Sequence, residues 1–261
     1  MRAKILLPLL ALWLAAAAPL AAVPIGRGSL PWWQHRFDAK ARELAAHPPR
    51  LVFYGDSIMA YLEQGPSDRF DYQQVWQHYY GGRDAVELGF KGDPTSALIW
   101  RLLHGEADHI DPRLAIVLIG ANDFGKLHWS APDTVMGVEK TITIIEQKLP
   151  HTHILLLAVL PSQRSAWITA ATNTANRALA AHYAGGQDPA VTYRDVGYLF
   201  ATKGHLDTSL FIDPHLTPPD PPLHPSPEGW RRIAEAIEPV VAQYMGDTPR
   251  ARMQPVNVLG R

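Results

Sequence analysis

The chain has 261 residues, no cysteine, 24 Lys and Arg against 25 Asp and Glu, and a formal net charge of −1. The lack of cysteine excludes disulfide bonds, thiolate metal sites and a thiol nucleophile, so covalent catalysis would need an oxygen or nitrogen nucleophile. The near-neutral charge gives no basic surface of the kind that binds nucleic acid, and the length suits one domain of the larger kind.

The first 22 residues predict a signal peptide. A positively charged start precedes an apolar run over residues 5–18, and a stretch of small residues covers 15–22. A membrane anchor is the alternative, but Pro19 interrupts the run before it reaches the roughly 20 apolar residues that a spanning helix needs. We therefore expect cleavage between Ala18 and Val23, which would give a periplasmic or secreted protein with no stable membrane anchor.

Apolar segments alternate with helical patterns along the rest of the chain. Residues 23–48 predict a lead-in with a short helix, 49–246 the main domain, and 247–261 a poorly ordered tail. Short apolar runs bounded by Gly, Pro or Asp predict strands at 50–54, 84–88, 114–119, 153–160 and 190–196. Helical stretches follow at 95–104, 132–149, 165–183 and 227–245. This alternation predicts a three-layer α/β/α sandwich around a mostly parallel five-stranded sheet.

Polar and glycine-rich segments follow the first three predicted strands and precede the last helix. Because ligands bind outside the carboxyl ends of the strands in open α/β sheets, we expect these segments to lie together at one rim. They are Gly55-Asp56-Ser57, the segment 89–95, Gly120-Ala121-Asn122-Asp123 and Leu223-His224-Pro225.

In this order the four segments resemble those of the SGNH (GDSL-type) hydrolases. The second, G-F-K-G-D-P-T-S-A-L-I-W-R-L, is similar to the branch of platelet-activating-factor acetylhydrolase-like esterases. The resemblance spans about residues 50–239 and implies a flavodoxin-like fold with Ser57 as the nucleophile. It also implies an oxyanion hole made by the N–H groups of Ser57 and Gly92 and by the side-chain amide of Asn122. His224 would be the general base and acid, taking the serine proton and giving it to the leaving alcohol.

The position of the catalytic acid departs from the family pattern. The family places Asp three residues before the histidine, where this chain has Pro221, and Asp220 lies four residues before His224. Two prolines bias residues 220–224 to an extended backbone of about 3.1 Å per residue, so one extra residue displaces the carboxylate by a similar distance unless the loop bulges. We predict Asp220 as the acid; Asp213, a backbone carbonyl or a water molecule are the alternatives.

Together these residues predict serine-dependent hydrolysis of carboxylic esters through an acyl-enzyme on Ser57, with no cofactor and no metal. The resemblance and the predicted export favour short acyl esters, above all acetyl esters, of a small molecule, a polysaccharide or a lipid. An acyltransferase that moves the acyl group to a sugar hydroxyl, and a non-catalytic carbohydrate-binding relative, are the alternatives. Candidates for the substrate pocket are Phe124, Trp129 and Arg164, which follow strand ends.

Overall fold

The computed structural model describes residues 19–65 and 70–256. Most of the predicted signal peptide and the last five residues of the tail therefore lie outside the described residues. No helix within the described ranges is long and apolar enough to span a bilayer.

Five short apolar segments form one parallel sheet, as predicted. They are β1 (Leu51–Gly55), β2 (Ala85–Gly89), β3 (Leu114–Leu118), β4 (His153–Leu157) and β5 (Val191–Arg194). Their order is β2-β1-β3-β4-β5, and each neighbouring pair is parallel. β1, β3 and β4 are buried along their whole length, which explains why their sequences are continuously apolar rather than alternating. A separate hairpin of β6 (Ala201–Thr202) and β7 (His205–Leu206) was not predicted.

Helices cover both faces of this sheet. They are α1 (Pro31–Ala46), α2 (Ser57–Ala60), α3 (Gln73–Tyr79), α4 (Thr95–Arg101), α5 (Ala121–Gly125), α6 (Ala131–Lys148), α7 (Ala166–Tyr183) and α8 (Pro227–Met245). Because successive strand residues point to opposite faces, Leu51 and Phe53 pack with α3 and α8, whereas Val52 and Tyr54 pack with α1, α4 and α6. The predicted three-layer sandwich is confirmed.

The start of α8 is fixed by its sequence. The Ser226 hydroxyl accepts the N–H of Gly229 at 3.2 Å, and Pro227 occupies the first helical position, where an N–H would have no partner within the helix. The helix therefore begins three residues after His224, and this anchors the end of the proline-rich loop.

The last residues of the predicted signal peptide pack on the domain. Leu20–Ala22 form one 3-10 turn, in which Ala21 is buried and its carbonyl accepts the Thr95 hydroxyl at 2.9 Å. The residues just before the predicted signal-peptide boundary at residue 22 thus contact the start of α4.

Residues 247–256 of the tail also contact the domain, whereas the poor order expected for the tail stays a prediction. Asp247 pairs with Arg83 at 2.8 Å, and the N–H of Val256 donates to Glu228 at 3.1 Å. These bonds hold the chain against α8 and the segment after α3.

Candidate active site

Ser57 lies in a tight turn at the carboxyl end of β1. The carboxylate of Asp56 accepts the N–H of Ile58 at 2.9 Å, which starts α2 and leaves Ser57 partly exposed at the rim of the sheet. This turn passes so close to β2 that a Cβ at Gly89 would collide with the carbonyl of Asp56. Glycine at this position therefore permits the close approach of the two chain segments.

Ser57, His224 and Asp213 form a continuous series of contacts. The Ser57 Oγ lies 2.9 Å from Nε2 of His224, and Nδ1 of His224 lies 2.6 Å from Oδ1 of Asp213. The other Asp213 oxygen accepts the N–H groups of Leu223 at 2.8 Å and of His224 at 2.6 Å. A carboxylate at Nδ1 holds the ring proton there and leaves Nε2 able to accept the serine proton.

The environment of Asp213 favours its ionised form. Its side chain is 5% exposed and that of His224 16%. Burial alone would raise the pKa of Asp213, but the hydrogen bond and charge of His224, with the two backbone N–H groups, hold that pKa below its ordinary range. The carboxylate is therefore charged wherever the imidazole is able to act as a base.

The carboxylate beside His224 is that of Asp213, and the prediction of Asp220 does not match the geometry. Residues 210–213 run antiparallel to residues 224–226. Three contacts join the two segments: the N–H of Ile212 to the carbonyl of His224 at 2.9 Å, the N–H of Ser226 to the carbonyl of Leu210 at 2.8 Å, and a β-bridge between Phe211 and Pro225. Asp220 is exposed and only its N–H contacts Asp213, donating to the carbonyl at 3.0 Å. The prediction treated acid and histidine as neighbours along an extended chain, whereas pairing between two separate segments brings them together.

Gly92 and Asn122 lie in the same cavity as Ser57. Gly92 has φ +78°, a backbone conformation that favours glycine. The amide nitrogen of Asn122 donates to Asp56 and to the carbonyl of Asp93, both at 3.1 Å, which fixes its orientation. An oxyanion that accepts from this amide would share or replace one of those two bonds.

Two buried carboxyl groups support this arrangement. Burial raises the pKa of Asp56 to about 6 and that of Asp123 to about 7. Asp123 accepts both the N–H of Thr95 at 2.9 Å and its hydroxyl at 2.7 Å, so it ties α5 to the start of α4.

A fully buried ion pair connects the turns around the site. Nε of Arg101 lies 3.0 Å from Asp93, and the same guanidinium donates to the carbonyl of Gly55 at 3.1 Å. Asp93 also accepts from Trp33 at 2.7 Å and from Arg27 at 2.8 Å. The turn that carries Gly92 is thereby fixed relative to the end of β1 and to the lead-in.

The cavity that contains Ser57 has a volume of about 330 Å³. Its lining consists of Arg27, Trp32, Ser57, Tyr61, Lys91, Gly92, Asn122, Lys126, Leu223 and His224. The three side chains predicted for the pocket lie outside this set: Phe124 is fully buried, Arg164 donates to the carbonyl of Ala121 at 2.9 Å, and the N–H of Trp129 donates to the carbonyl of Asp123 at 2.9 Å.

Sequence reasoning missed the basic and aromatic lining residues. Two of them carried a usable signal. Lys91 directly precedes Gly92. Lys126 lies four residues after Asn122, a spacing that places Asn122 and Lys126 on the same face of a helical turn.

Residues 53–232 match the model of the GDSL-like lipase/acylhydrolase family. The chain belongs to this family. Membership confirms the predicted SGNH (GDSL-type) resemblance and, at the level of the family, the prediction of a carboxylic ester hydrolase.

Among curated proteins, GDSL-family relatives include two platelet-activating factor acetylhydrolase IB subunits. The alpha1 subunit of Bos taurus is 28% identical over 127 residues, which are 49% of this chain and 49% of the relative. The alpha2 subunit of Gallus gallus is 31% identical over 150 residues, 56% of this chain and 58% of the relative. The chain thus aligns with about half the length of these relatives.

Solved structures show the same GDSL-family fold. A putative platelet activating factor from Streptococcus pneumonia has a TM-score of 0.61 at 22% identity, covering 82% of this chain and 95% of that one. A carbohydrate esterase family 3 protein from Talaromyces cellulolyticus has a TM-score of 0.56 at 15% identity, covering 76% of this chain and 98% of that one.

Proposed function

We propose that the protein hydrolyses short acyl esters, above all acetyl esters, of a carbohydrate, with Ser57 as the nucleophile. The observation that carries this proposal is the unbroken series of contacts from the Ser57 hydroxyl through His224 to the Asp213 carboxylate. A non-catalytic relative would have no need for this series.

In the first half of the reaction, the Ser57 Oγ attacks the ester carbonyl carbon while Nε2 of His224 takes its proton. The carbonyl oxygen becomes an oxyanion that accepts from the N–H groups of Ser57 and Gly92 and from the amide of Asn122. His224 then protonates the alcohol oxygen as its bond to the carbonyl carbon breaks, which leaves the acyl group on Ser57. Water then attacks that acyl group while His224 takes a proton from it; the bond between the acyl carbon and the Ser57 Oγ breaks, and His224 gives the proton to this oxygen as the acid is released.

The position of His224 is supported from two sides. The Tyr61 ring packs against the imidazole with centroids 4.9 Å apart, and the hydroxyl of buried Tyr72 donates to the carbonyl of Pro225 at 2.9 Å. The ring therefore has little freedom to rotate away from Ser57, as a general base requires.

The size and polarity of the cavity support a short acyl group and a polar alcohol. A long acyl chain would need an extended apolar channel, whereas the lining of this cavity is divided about equally between polar and apolar surface and includes three basic side chains. Carbohydrate esterases among the structural neighbours and the half-exposed indole of Trp32 at the cavity support a sugar as the alcohol. Acetyl esters of lipids are the competing substrates in the experiment below.

The test compares acetate release from an acetylated oligosaccharide by the parent, Ser57→Ala and Ser29→Ala. We expect Ser57→Ala to lose at least about 10³-fold in kcat, because the nucleophile is missing. Ser29 is exposed and outside the cavity, so Ser29→Ala serves as the matched control and should retain parental activity. A fluorophosphonate should label the parent and the control but not Ser57→Ala. Full activity of Ser57→Ala would overturn the assignment.

The same assay separates the substrate classes. Faster release of acetate from an acetylated lipid than from the oligosaccharide would contradict the carbohydrate part of the proposal. A sugar acceptor that receives the acyl group faster than water does would indicate an acyltransferase.

We also propose export of the protein by the signal peptide predicted over residues 1–22. N-terminal sequencing of the exported form tests this, with a chain that starts at Pro19 as the control that should remain inside the cell. Recovery of the uncleaved chain in the cytoplasm would contradict it.

A further inference from the structure

Three basic side chains line the cavity that contains Ser57. Arg27 comes from the lead-in, Lys91 from the turn after β2, and Lys126 from the residue after α5. Among the described residues that line the cavity there is no Asp or Glu. Three separate parts of the chain therefore bring positive charge to one wall of the site.

Only the arginine is neutralised. Arg27 pairs with Asp93 at 2.8 Å and also donates to the carbonyl of Lys91 at 2.9 Å. Within residues 19–65 and 70–256, neither lysine ammonium has a carboxylate partner, and that of Lys91 lies 5.4 Å from the centroid of the Tyr61 ring. The cavity thus carries two uncompensated positive charges.

The ammonium of Lys126 lies directly over the turn at Gly92. A Cβ at Gly92 would collide with that ammonium and would lie 3.4 Å from the Arg27 guanidinium. The nearby carboxyl groups of Asp56 and Asp123 are buried, and burial raises their pKa values to about 6 and about 7. Their negative charge therefore offsets the lysines only in part near neutral pH.

The cleft continues past Lys91. A second cavity of about 360 Å³ shares Trp32 and Lys91 with the first and reaches Glu63 and Gln64. Trp32 is 44% exposed and offers a flat apolar surface at the junction. A substrate whose carbonyl lies at Ser57 can therefore extend its alcohol part over Trp32 while passing both lysines.

We propose that the cavity selects esters whose alcohol part carries an anionic group, a carboxylate or a phosphate, and that Lys126 and Lys91 bind this group. The inference rests on the proposed ester hydrolysis and names its substrate class. Because both lysines are exposed, the attraction is moderate and is weakened by salt.

The test uses three acetylated methyl glycosides that share the same ester: a glucuronoside with a free carboxylate, the corresponding neutral uronamide, and a glucoside 6-phosphate. We expect kcat/KM of the parent at low salt to be about tenfold higher for an anionic substrate than for the uronamide, since each exposed ion pair contributes up to about fivefold. The preference should fall in 0.5 M NaCl, where the screening length is only about 4 Å. Whichever anionic substrate has the larger kcat/KM relative to the uronamide identifies the bound group as carboxylate or phosphate.

The variants are Lys126→Gln, Lys91→Gln and the double variant, with Lys140→Gln on the exposed face of α6 as the matched control. Each single variant should lose about threefold to fivefold of the preference, measured as the ratio of kcat/KM for the anionic substrate to kcat/KM for the uronamide, and the double variant nearly all of it, through KM. Lys140→Gln should behave as the parent.

The outcomes separate this inference from the proposed function. Hydrolysis of all three substrates at equal kcat/KM would overturn the anion subsite and leave the esterase intact. Equal losses on the anionic and neutral substrates in Lys126→Gln would also overturn it, because they would place the ammonium at the oxyanion instead. Failure of the parent to hydrolyse any of the three would overturn the proposed hydrolysis of carbohydrate acetyl esters.

Discussion

Replacing Asp213 by Asn exchanges one oxygen for an amino group at the residue that orients His224. Asp213 accepts three hydrogen bonds, from Nδ1 of His224 at 2.6 Å and from the N–H groups of Leu223 at 2.8 Å and His224 at 2.6 Å. Asn has a single acceptor oxygen. If that oxygen keeps the backbone N–H groups, the amino group faces Nδ1, and the ring takes the tautomer that carries its proton on Nε2. This tautomer cannot accept the proton of Ser57.

The expected loss in Asp213→Asn is about 10³- to 10⁴-fold in kcat, the cost typical of a wrong tautomer in a hydroxyl–imidazole–carboxylate site. This corresponds to about 4–5 kcal/mol in the activation barrier. The loss of one charge-assisted hydrogen bond would account for only about 1.5–3 kcal/mol of it.

The assay is steady-state hydrolysis of an acetyl ester at pH 8, with thermal unfolding measured in parallel. Asp220→Asn is the matched control, because Asp220 is exposed and contacts Asp213 only through its backbone; its kcat should change less than about twofold. The reasoning is refuted if Asp213→Asn stays folded and within tenfold of the parent, or if Asp220→Asn shows the large loss instead.

Two further predictions concern stability. Burial raises the pKa of Asp56 from 3.8 to about 6, so the folded protein binds this proton more tightly than the unfolded chain does. The free energy of unfolding therefore falls by up to about 3 kcal/mol as the pH rises through that interval. Asp56→Asn has no carboxyl group to titrate and removes this loss. The free energy of unfolding of the variant minus that of the parent, measured in urea, should therefore rise by about 3 kcal/mol between pH 4 and pH 7. Parallel pH profiles of the two proteins would contradict the raised pKa of Asp56. Glu238→Gln weakens the buried pair with Arg83, in which two guanidinium nitrogens lie 2.8 Å and 2.7 Å from the two carboxylate oxygens. This substitution should lower the free energy of unfolding by about 3 kcal/mol. Asp108→Asn weakens the half-exposed pair with Lys148 and should lower the free energy of unfolding by less than about 1 kcal/mol in the same measurement. An equal loss in the two variants would show that burial does not strengthen the pair of Arg83 and Glu238.

Much of the fold could be predicted because its strands are buried on both faces. The run from Leu114 to Leu118 has no polar residue, so it fits the centre of a parallel sheet and little else. The short elements α2 and α5 and the hairpin of β6 and β7 escaped prediction, since two to five residues carry no periodic pattern. The seven residues of α3 were missed because only two of them, Val75 and Tyr79, are buried, which is too few to show a helical period.

The site could be predicted where function depends on local chain geometry. Ser57, Gly92 and Asn122 each follow a strand, so the sheet itself brings them to one rim. Asp213 could not be chosen over Asp220, because the hydrogen bonds that place it opposite His224 join segments eleven residues apart in the chain. The positions of Lys91 beside Gly92 and of Lys126 four residues after Asn122 indicated that they lie near the site, but only the folded chain shows that neither ammonium has a carboxylate partner among the described residues.

The antiparallel pairing of residues 210–213 with 224–226 has a consequence for how this loop can vary. Acid and histidine are held opposite each other by the base of the loop, so the number of residues in between does not determine their distance. The outer part, residues 214–222, can therefore be lengthened, shortened or exchanged to remodel the rim of the cleft while the proton-transfer pair stays in place. A search that demands a fixed spacing between the two residues would overlook chains built in this way, and engineering of specificity can use the same freedom.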